Sequence, residues 1–213
     1  MPAILAGVAG AAVLAERLDL ATAGLTLTAI SADFRDAAKD EIERMMRDAM
    51  VGGRLVVAMI DIDRFKSIND RFGHPVGDQV IRSLSWLLRG RLRNTDLIGR
   101  YGGEEFLVAL PDTELERATV LLDQIRQDFS ALPHAHAEGS VCATFSCGIA
   151  ALPYFITSSS IIQAADAALL QAKRSGRNCL LRAEPESGLS VTSVEMEQSA
   201  YRGLQFSPFA VVS

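Results

Sequence analysis

Apolar residues along the chain change repeatedly between helical spacing and strand-like spacing. Helical spacing, as in the series from Phe34 to Ala49, is typical of amphipathic helices, whereas short apolar runs are typical of strands. Helices are predicted over residues 33–50, 64–72 and 76–92, between Pro111 and Pro133, and around 161–172. Strands are predicted over residues 54–61, 96–101, 105–110, 141–149 and 178–182. The pattern predicts an α/β fold with a central mixed, largely antiparallel sheet of about five strands flanked by helices.

Composition limits the class of protein. The 213 residues are 49% hydrophobic, which is sufficient for one domain with a core and extensions. A net charge of −5 argues against a nucleic-acid-binding surface, which is usually basic. The three cysteines have no Cys-x-x-Cys spacing, so we expect reduced thiols in a cytoplasmic protein rather than disulfides or a zinc site.

The two ends of the chain differ from its middle. Residues 1–32 begin with an apolar stretch, which is shorter than the roughly 20 residues of a membrane span. No basic residues precede it, as they would in a signal peptide. We expect a short helix, a linker or the remnant of an upstream module, and membrane association stays open. Residues 184–213 have weak periodicity and predict a flexible tail, which leaves 33–183 as the folded domain.

Acidic residues stand at the end of the first predicted strand and directly after a predicted glycine turn. Asp61 closes the apolar run of the first strand, and Gly102-Gly103 predicts a hairpin turn, because glycine reaches positive φ without steric cost. The turn is followed by Glu104 and Glu105. If the strands are neighbours, Asp61 and Glu104 meet at one edge of the sheet, where carboxylate oxygens suit Mg²⁺ or Mn²⁺ and a phosphate substrate. The alternative is a pair of solvated carboxylates at strand ends.

Three linked blocks carry a family resemblance. They are Asp61-Ile-Asp-Arg-Phe-Lys-Ser-Ile-Asn-Asp-Arg-Phe-Gly-His-Pro-Val-Gly-Asp78, Arg100-Tyr-Gly-Gly-Glu-Glu-Phe106 and Gln171-Ala-Lys-Arg-Ser-Gly-Arg-Asn178. In this order and spacing they resemble the GGDEF family of diguanylate cyclases, in a GGEEF variant, over roughly residues 33–183. The resemblance implies a fold akin to nucleotidyl cyclase and polymerase palm domains.

The resemblance also implies a reaction that joins two GTP molecules into cyclic di-GMP and releases pyrophosphate. By similarity, Asp61, Glu104 and the main-chain carbonyl of Ile62 would hold Mg²⁺ or Mn²⁺. Glu104 would assist deprotonation of the attacking hydroxyl, and Lys66 would reach the triphosphate. Asp63 is expected to have a supporting role only.

Further cations match the family's phosphate contacts. Lys173 and Arg177 correspond to a pair that neutralises the terminal phosphates. The alternative is that both are solvated charges that complement a helix C-terminus.

The resemblance places guanine recognition on Asn69 and Asp78, with His74 and Phe65 lining the substrate pocket. An aspartate can accept hydrogen bonds from both N1–H and the 2-amino group of guanine, so Asp78 favours GTP over ATP. The alternatives are a carboxylate at a helix N-terminus for Asp78, a turn residue for Asn69 and a loop histidine for His74.

The segment Arg93-Asn-Thr-Asp96 matches the family's Arg-x-x-Asp inhibitory site, where the product binds. Arginine can grip phosphate or a guanine edge, and aspartate can accept from guanine. The companion arginine of many relatives is Gln124 here, and Arg126 could replace it only if the geometry permits. The alternative is an exposed arginine and an aspartate at the start of a strand.

The resemblance implies a homodimer, because each domain holds one GTP. The usual opening of the domain, which ends in Asn-Arg, is altered in residues 19–28, and this puts the signal input in doubt. A non-catalytic module that binds GTP or cyclic di-GMP is the alternative function.

Overall fold

The computed structural model describes residues 27–49 and 52–184 of the chain. Its helices are α1 (Leu27–Ala49), α2 (Phe65–Phe72), α3 (His74–Arg91), α4 (Leu115–Ala131) and α5 (Ser158–Arg174). Its strands are β1 (Leu55–Ile62), β2 (Leu97–Arg100), β3 (Glu105–Pro111), β4 (Pro133–His136), β5 (Gly139–Cys142), β6 (Phe145–Ala151) and β7 (Leu180–Arg182).

Five strands form the main sheet in the order β2-β3-β1-β6-β7. Strand β1 is central and pairs antiparallel with both β3 and β6, whereas β6 pairs parallel with β7. The predicted α/β fold, with a mixed and largely antiparallel five-stranded sheet flanked by helices, is therefore confirmed. This pairing places the C-terminal end of β1 next to the turn of the β2–β3 hairpin.

Strand β1 is buried on both faces of the sheet, which explains its uninterrupted apolar run. Val56 and Ile60 pack in the core layer that includes α3 and α4. Val57 and Met59 pack in the opposite layer, with α1 and α5. Because side chains alternate along a strand, Asp61 continues the face that is covered by α5.

The first helix starts earlier than the sequence pattern predicted. It begins at Leu27 rather than at residue 33, so α1 extends into residues 27–32 of the predicted N-terminal segment. The rest of the predicted N-terminal segment and the predicted tail from residue 185 onwards lie outside the described residues. Within the described part of the chain, no helix has both the length and the apolar character needed to cross a membrane.

The prediction of one strand over residues 141–149 was wrong. The chain forms two strands here, β5 and β6, separated by Ala143 and Thr144. Strand β5 pairs with β4 in a separate two-stranded sheet, which the sequence pattern did not indicate. Ala143 is buried, as is Phe145 two residues later, so the apolar alternation in the sequence continues through the break and hides it.

The β4–β5 hairpin contains a buried histidine. His134 is 1% exposed, and its Nδ1 lies 3.2 Å from the carbonyl oxygen of Val141. Its Nε2 has no hydrogen-bond partner within residues 27–49 and 52–184. Burial lowers the pKa of His134 from its ordinary value, because the imidazolium ion would lose its solvation, and the contact with Val141 opposes this shift. The folded protein therefore favours the neutral ring.

This histidine predicts a pH-dependent stability. The contribution of neutral His134 is complete above its ordinary pKa of 6.5 and falls as the pH decreases below that value, since the unfolded chain then binds a proton that the folded chain excludes. We expect His134→Asn, whose carboxamide can still donate to Val141, to lose this dependence. The free energies of unfolding in urea, compared at about pH 7.5 and about pH 5.5, should shift in favour of the variant at the lower pH. An equal difference at both pH values would contradict the prediction.

Candidate functional site

The two predicted carboxylates lie at the same edge of the sheet. Asp61 stands opposite Glu105 in the β1–β3 pair, and the amide of Ile62 donates to the carbonyl oxygen of Glu104 at 3.3 Å. Glu104 thus lies in the turn beside the last residues of β1. The sequence analysis made this closeness conditional on the two strands being neighbours, and the pairing of β1 with β3 confirms that they are.

Asp61 is a largely buried carboxylate that is paired with a lysine. Its side chain is largely buried, and its Oδ2 lies 2.8 Å from Nζ of Lys173, in the last turn of α5. Burial raises the pKa of Asp61 to about 6, with further increases from Glu104 and Glu105, while Lys173 opposes these effects. The loss of solvation on burial thus raises the pKa of Asp61 by more than the nearby Lys173 lowers it.

The glycine turn has a different physical basis from the one predicted. Neither Gly102 nor Gly103 adopts a positive φ. A Cβ on Gly102 would overlap Oε2 of Glu105, whereas Gly103 has open space around it. The turn is closed by Arg100, whose Nε donates to the carbonyl oxygens of Gly102 at 3.2 Å and Gly103 at 2.8 Å. Gly102 therefore leaves room for the end of the flexible Glu105 side chain.

This edge suits a hard cation. Asp61 and Glu104 supply carboxylate oxygens, and Ile62 adds a main-chain carbonyl nearby. Among residues 27–49 and 52–184, no three His, Cys, Asp or Glu side chains already stand together as a ligand set. An ion here would thus need main-chain or substrate oxygens as well, which is how Mg²⁺ is usually bound beside phosphate groups.

The predicted guanine residues lie around the junction of α2 and α3. Asn69 Oδ1 is buried without a hydrogen-bond partner among the described residues, and it lies so close to Gly77 that a Cβ there would overlap it. The same Cβ would be 3.1 Å from the ring of Phe65. Asp78 follows Gly77 and is exposed, and His74 is the first residue of α3, one turn before Asp78. The unpartnered acceptor of Asn69 therefore lies against Gly77, the residue that precedes the exposed Asp78.

The predicted phosphate-binding cations lie on two elements, at the start of α2 and at the end of α5. Lys66 is exposed in the first turn of α2, which starts shortly after β1 ends. Lys173 contacts Asp61, as described above. Arg177 is exposed in the turn after α5, where it has a positive φ of 66°. Lys66 and Arg177 have exposed side chains, whereas Lys173 is already paired.

Arg93 and Asp96 lie just before β2, at the end of that strand opposite the glycine turn. The amide of Arg93 donates to Oδ2 of Asp96 at 2.7 Å, while Oδ1 of Asp96 is buried and has no hydrogen-bond partner in the part of the chain that the structure describes. Burial raises the pKa of Asp96, and the bond from Arg93 opposes the shift. Both residues line a cavity of about 600 Å³, together with Gln124 and Arg117 of α4.

Arg126 does not take the place of the companion arginine. Its Nε donates to Asp123 Oδ1 at 2.7 Å, and its NH1 donates to the main-chain oxygen and Oδ1 of Asn178. Arg117, seven residues before Gln124, was not singled out in the sequence. The signal that could have found it is its spacing, because positions seven apart lie on the same side of a helix.

Sequence reasoning also missed a contact between the first helix and the glycine turn. Arg35 of α1 donates from Nε to the carbonyl oxygen of Tyr101 at 2.9 Å, and its guanidinium lies 4.9 Å from the centre of the Tyr101 ring. Phe34 packs against Gly99, where a Cβ would overlap its ring. No sequence pattern indicated this contact, because the residues are far apart along the chain.

Comparison with known proteins identifies the family of the chain. Residues 27–179 match the family model described as "Diguanylate cyclase, GGDEF domain". The diguanylate cyclase DgcP of Pseudomonas aeruginosa is 43% identical over 142 residues, which are 67% of this chain but only 21% of DgcP. The chain thus spans about a fifth of the length of that relative.

Two solved structures have the same fold. The GGDEF domain of DgcB from Caulobacter crescentus, in complex with c-di-GMP, has a TM-score of 0.66 and 33% identity, covering 70% of this chain and 90% of that one. The active GGEEF domain of a diguanylate cyclase from Vibrio cholerae has a TM-score of 0.64 and 33% identity, covering 68% and 94%. Sequence, fold and the three motif blocks agree, and the chain belongs to the GGDEF family.

Proposed function

We propose that this chain is a diguanylate cyclase, which condenses two GTP molecules into cyclic di-GMP and releases two pyrophosphates. The observation that carries the proposal is the meeting of Asp61 and Glu104 at one sheet edge, beside Lys173 and the turn that bears Arg177. Carboxylates for a cation and cations for phosphates are the two requirements of phosphoryl transfer. DgcP is named a diguanylate cyclase, and the Vibrio cholerae domain is described as the active GGEEF domain of one.

In the proposed reaction, the 3′-oxygen of each GTP attacks the α-phosphate of the other. The new bond joins the 3′-oxygen to the α-phosphorus, and the bond from that phosphorus to the oxygen of pyrophosphate breaks. Glu104 takes the hydroxyl proton, since it is a partly exposed carboxylate next to Asp61. Mg²⁺ or Mn²⁺, held by Asp61, Glu104 and the Ile62 carbonyl, would lower the pKa of the hydroxyl and offset the developing negative charge.

Substrate binding is assigned to the flanking elements. Lys66, Lys173 and Arg177 neutralise the triphosphate. Asn69 and Asp78 bind the guanine edge, with His74 and Phe65 beside them. The buried, unpartnered Oδ1 of Asn69 supports this assignment, because a ligand donor would satisfy it. Two copies of the domain must face each other, since both substrates are attacked in turn and each copy holds one.

The proposal is tested by product analysis. Purified protein is incubated with GTP, with ATP or with both, in the presence of Mg²⁺ or of a chelator, and products are separated by chromatography. We expect cyclic di-GMP from GTP with Mg²⁺, and no product from ATP alone, because Asp78 discriminates against adenine. Equal use of GTP and ATP would contradict the assignment of Asp78.

The cavity around Arg93 and Asp96 is proposed as an inhibitory product site. Asp96 Oδ1 is a buried acceptor without a partner, which a guanine N–H could satisfy. Gln124 occupies the place of the companion arginine, and we assign its task to Arg117, which lines the same cavity. A guanidinium there can grip a phosphate of the product in two-point contact.

This site gives a measurable prediction. We expect Arg93→Ala to raise the cyclic di-GMP concentration needed for half inhibition by about tenfold or more, because a charge-assisted contact is lost. Arg117→Ala should raise it by several-fold. Inhibition curves are compared with that of Arg89→Ala, an exposed arginine near the end of α3 that does not line the cavity. Unchanged inhibition in both cavity variants would contradict the assignment.

A further inference from the structure

Asp63 is a buried carboxylate that has no role in the reaction described above. It lies just after β1 and is 6% exposed. Its carboxylate accepts three hydrogen bonds, from Oγ1 of Thr144 at 2.7 Å, from Oγ of Ser146 at 2.7 Å and from the amide of Asn178 at 3.0 Å. Asp63 therefore joins the end of β1 to the start of β6 and to the turn after α5.

The third hydrogen bond holds a turn with an unusual backbone. Arg177 and Asn178 have φ values of 66° and 45°, a region that residues other than glycine seldom adopt. Such a conformation persists only where surrounding contacts hold it. Asn178 is held on both sides: its amide donates to Asp63, and its carbonyl oxygen and Oδ1 accept from Arg126 at 3.0 and 2.7 Å.

The turn determines where Arg177 stands relative to β1. Its amide donates to the carbonyl oxygen of Ala172 at 3.1 Å, which folds the chain back over the end of α5. Lys173, in the last turn of α5, already contacts Asp61. The two aspartates of β1 and its extension thus bind the same part of the chain, Asp61 through a side chain and Asp63 through the main chain.

We propose that Asp63 is a positioning residue for the triphosphate: it holds the turn after α5 so that Arg177 faces the phosphates at the edge of β1. This inference rests on the proposed function, in which Arg177 binds terminal phosphates. Asp63 itself touches neither substrate nor cation. Its effect on binding should therefore depend on the ligand having a triphosphate.

The test compares two ligands that differ in the terminal phosphates. Affinities are measured by calorimetry, with Mg²⁺, for GMP and for a GTP analogue whose α–β bridging oxygen is replaced by a methylene group and cannot react. We expect Asp63→Ala to weaken analogue binding by about tenfold and to leave GMP binding unchanged. We expect Asp63→Asn to retain most of the affinity, because its carboxamide oxygen can accept from the amide of Asn178 while the Ser146 hydroxyl accepts from its N–H.

Ser158→Ala is the matched structural control. Ser158 is also buried, and its hydroxyl donates to a carboxylate, Oε1 of Glu43, at 2.9 Å. It lies at the other end of α5, so its loss should reduce stability without changing the preference for the analogue over GMP. If Asp63→Ala does not fold, Ser146→Ala replaces it, with an expected several-fold loss of analogue affinity.

A double variant separates positioning from general destabilisation. In an Arg177→Ala background, Asp63→Ala should cause no further loss of analogue affinity, because both changes remove the same contact. Equal weakening of GMP and analogue by Asp63→Ala, or additive losses in the double variant, would overturn the inference. Failure of the wild-type protein to prefer the analogue over GMP would instead contradict the proposed function.

Discussion

Replacing Glu104 by glutamine is expected to reduce cyclic di-GMP formation by about 10³-fold or more, because one change removes both a proton acceptor and an anionic cation ligand. The side chain of Glu104 is partly exposed, and the structure's hydrogen bond at this residue uses its main-chain oxygen. The variant should therefore keep its fold and its thermal stability. Initial rates with GTP and Mg²⁺ measure the effect.

The control for this variant removes the same charge elsewhere. Glu138→Gln changes an exposed carboxylate in the β4–β5 turn and should leave the rate unchanged. The double variant Asp61→Asn, Glu104→Gln should be no slower than Glu104→Gln alone, since residues that act as one unit have non-additive effects. A Glu104→Gln rate within about tenfold of the wild type would remove Glu104 from the mechanism.

The largest expected effect on stability is that of Gly148→Ala. Gly148 lies on β6 beneath α5, where a Cβ would overlap the main-chain oxygen of Ala165 and the main-chain nitrogen of Leu169. Helix backbone cannot move aside as the end of a flexible side chain can. We expect a loss of about 3 kcal/mol or more in the free energy of unfolding. Urea unfolding followed by circular dichroism measures it.

Gly90→Ala is the matched control for this substitution. Gly90 lies in α3, and a Cβ there would meet nothing within 4 Å. Alanine in a helix is favoured over glycine, so the variant should gain roughly 0.5–1 kcal/mol. A Gly148→Ala protein as stable as the wild type would mean that α5 does not lie this close to β6, and the position of Lys173 would then need revision.

Local patterns in the sequence were sufficient to predict the main sheet. The apolar run from Leu55 to Ile60 is continuous because β1 is buried on both faces, and the hairpin of β2 and β3 is interrupted by a visible glycine pair. The break between β5 and β6 was not predicted. Ala143 is buried within an alternating series, so no turn signal marks the place where the chain leaves one sheet for another.

The sequence could name candidate site residues, but it could not show the contacts between them. Asp61 and Glu104 lie near each other because β1 pairs with β3, and the sequence alone could not establish that pairing. The partners of Asp63 lie 81, 83 and 115 residues away, which no local period can reveal. Gly102 was expected to supply a positive φ, whereas the structure shows that it leaves space for Glu105. Whether a position has room for a side chain depends on residues that become its neighbours only in the folded chain.

The central claim is that two copies of this domain join two GTP molecules. Its most direct test is the rate of cyclic di-GMP formation from GTP and Mg²⁺, measured over a wide range of protein concentration. We predict product, at a rate that rises more steeply than linearly with protein concentration, because the active species is a dimer. Folded protein that binds GTP or cyclic di-GMP but forms no product at any concentration would contradict the claim and indicate a non-catalytic binding module.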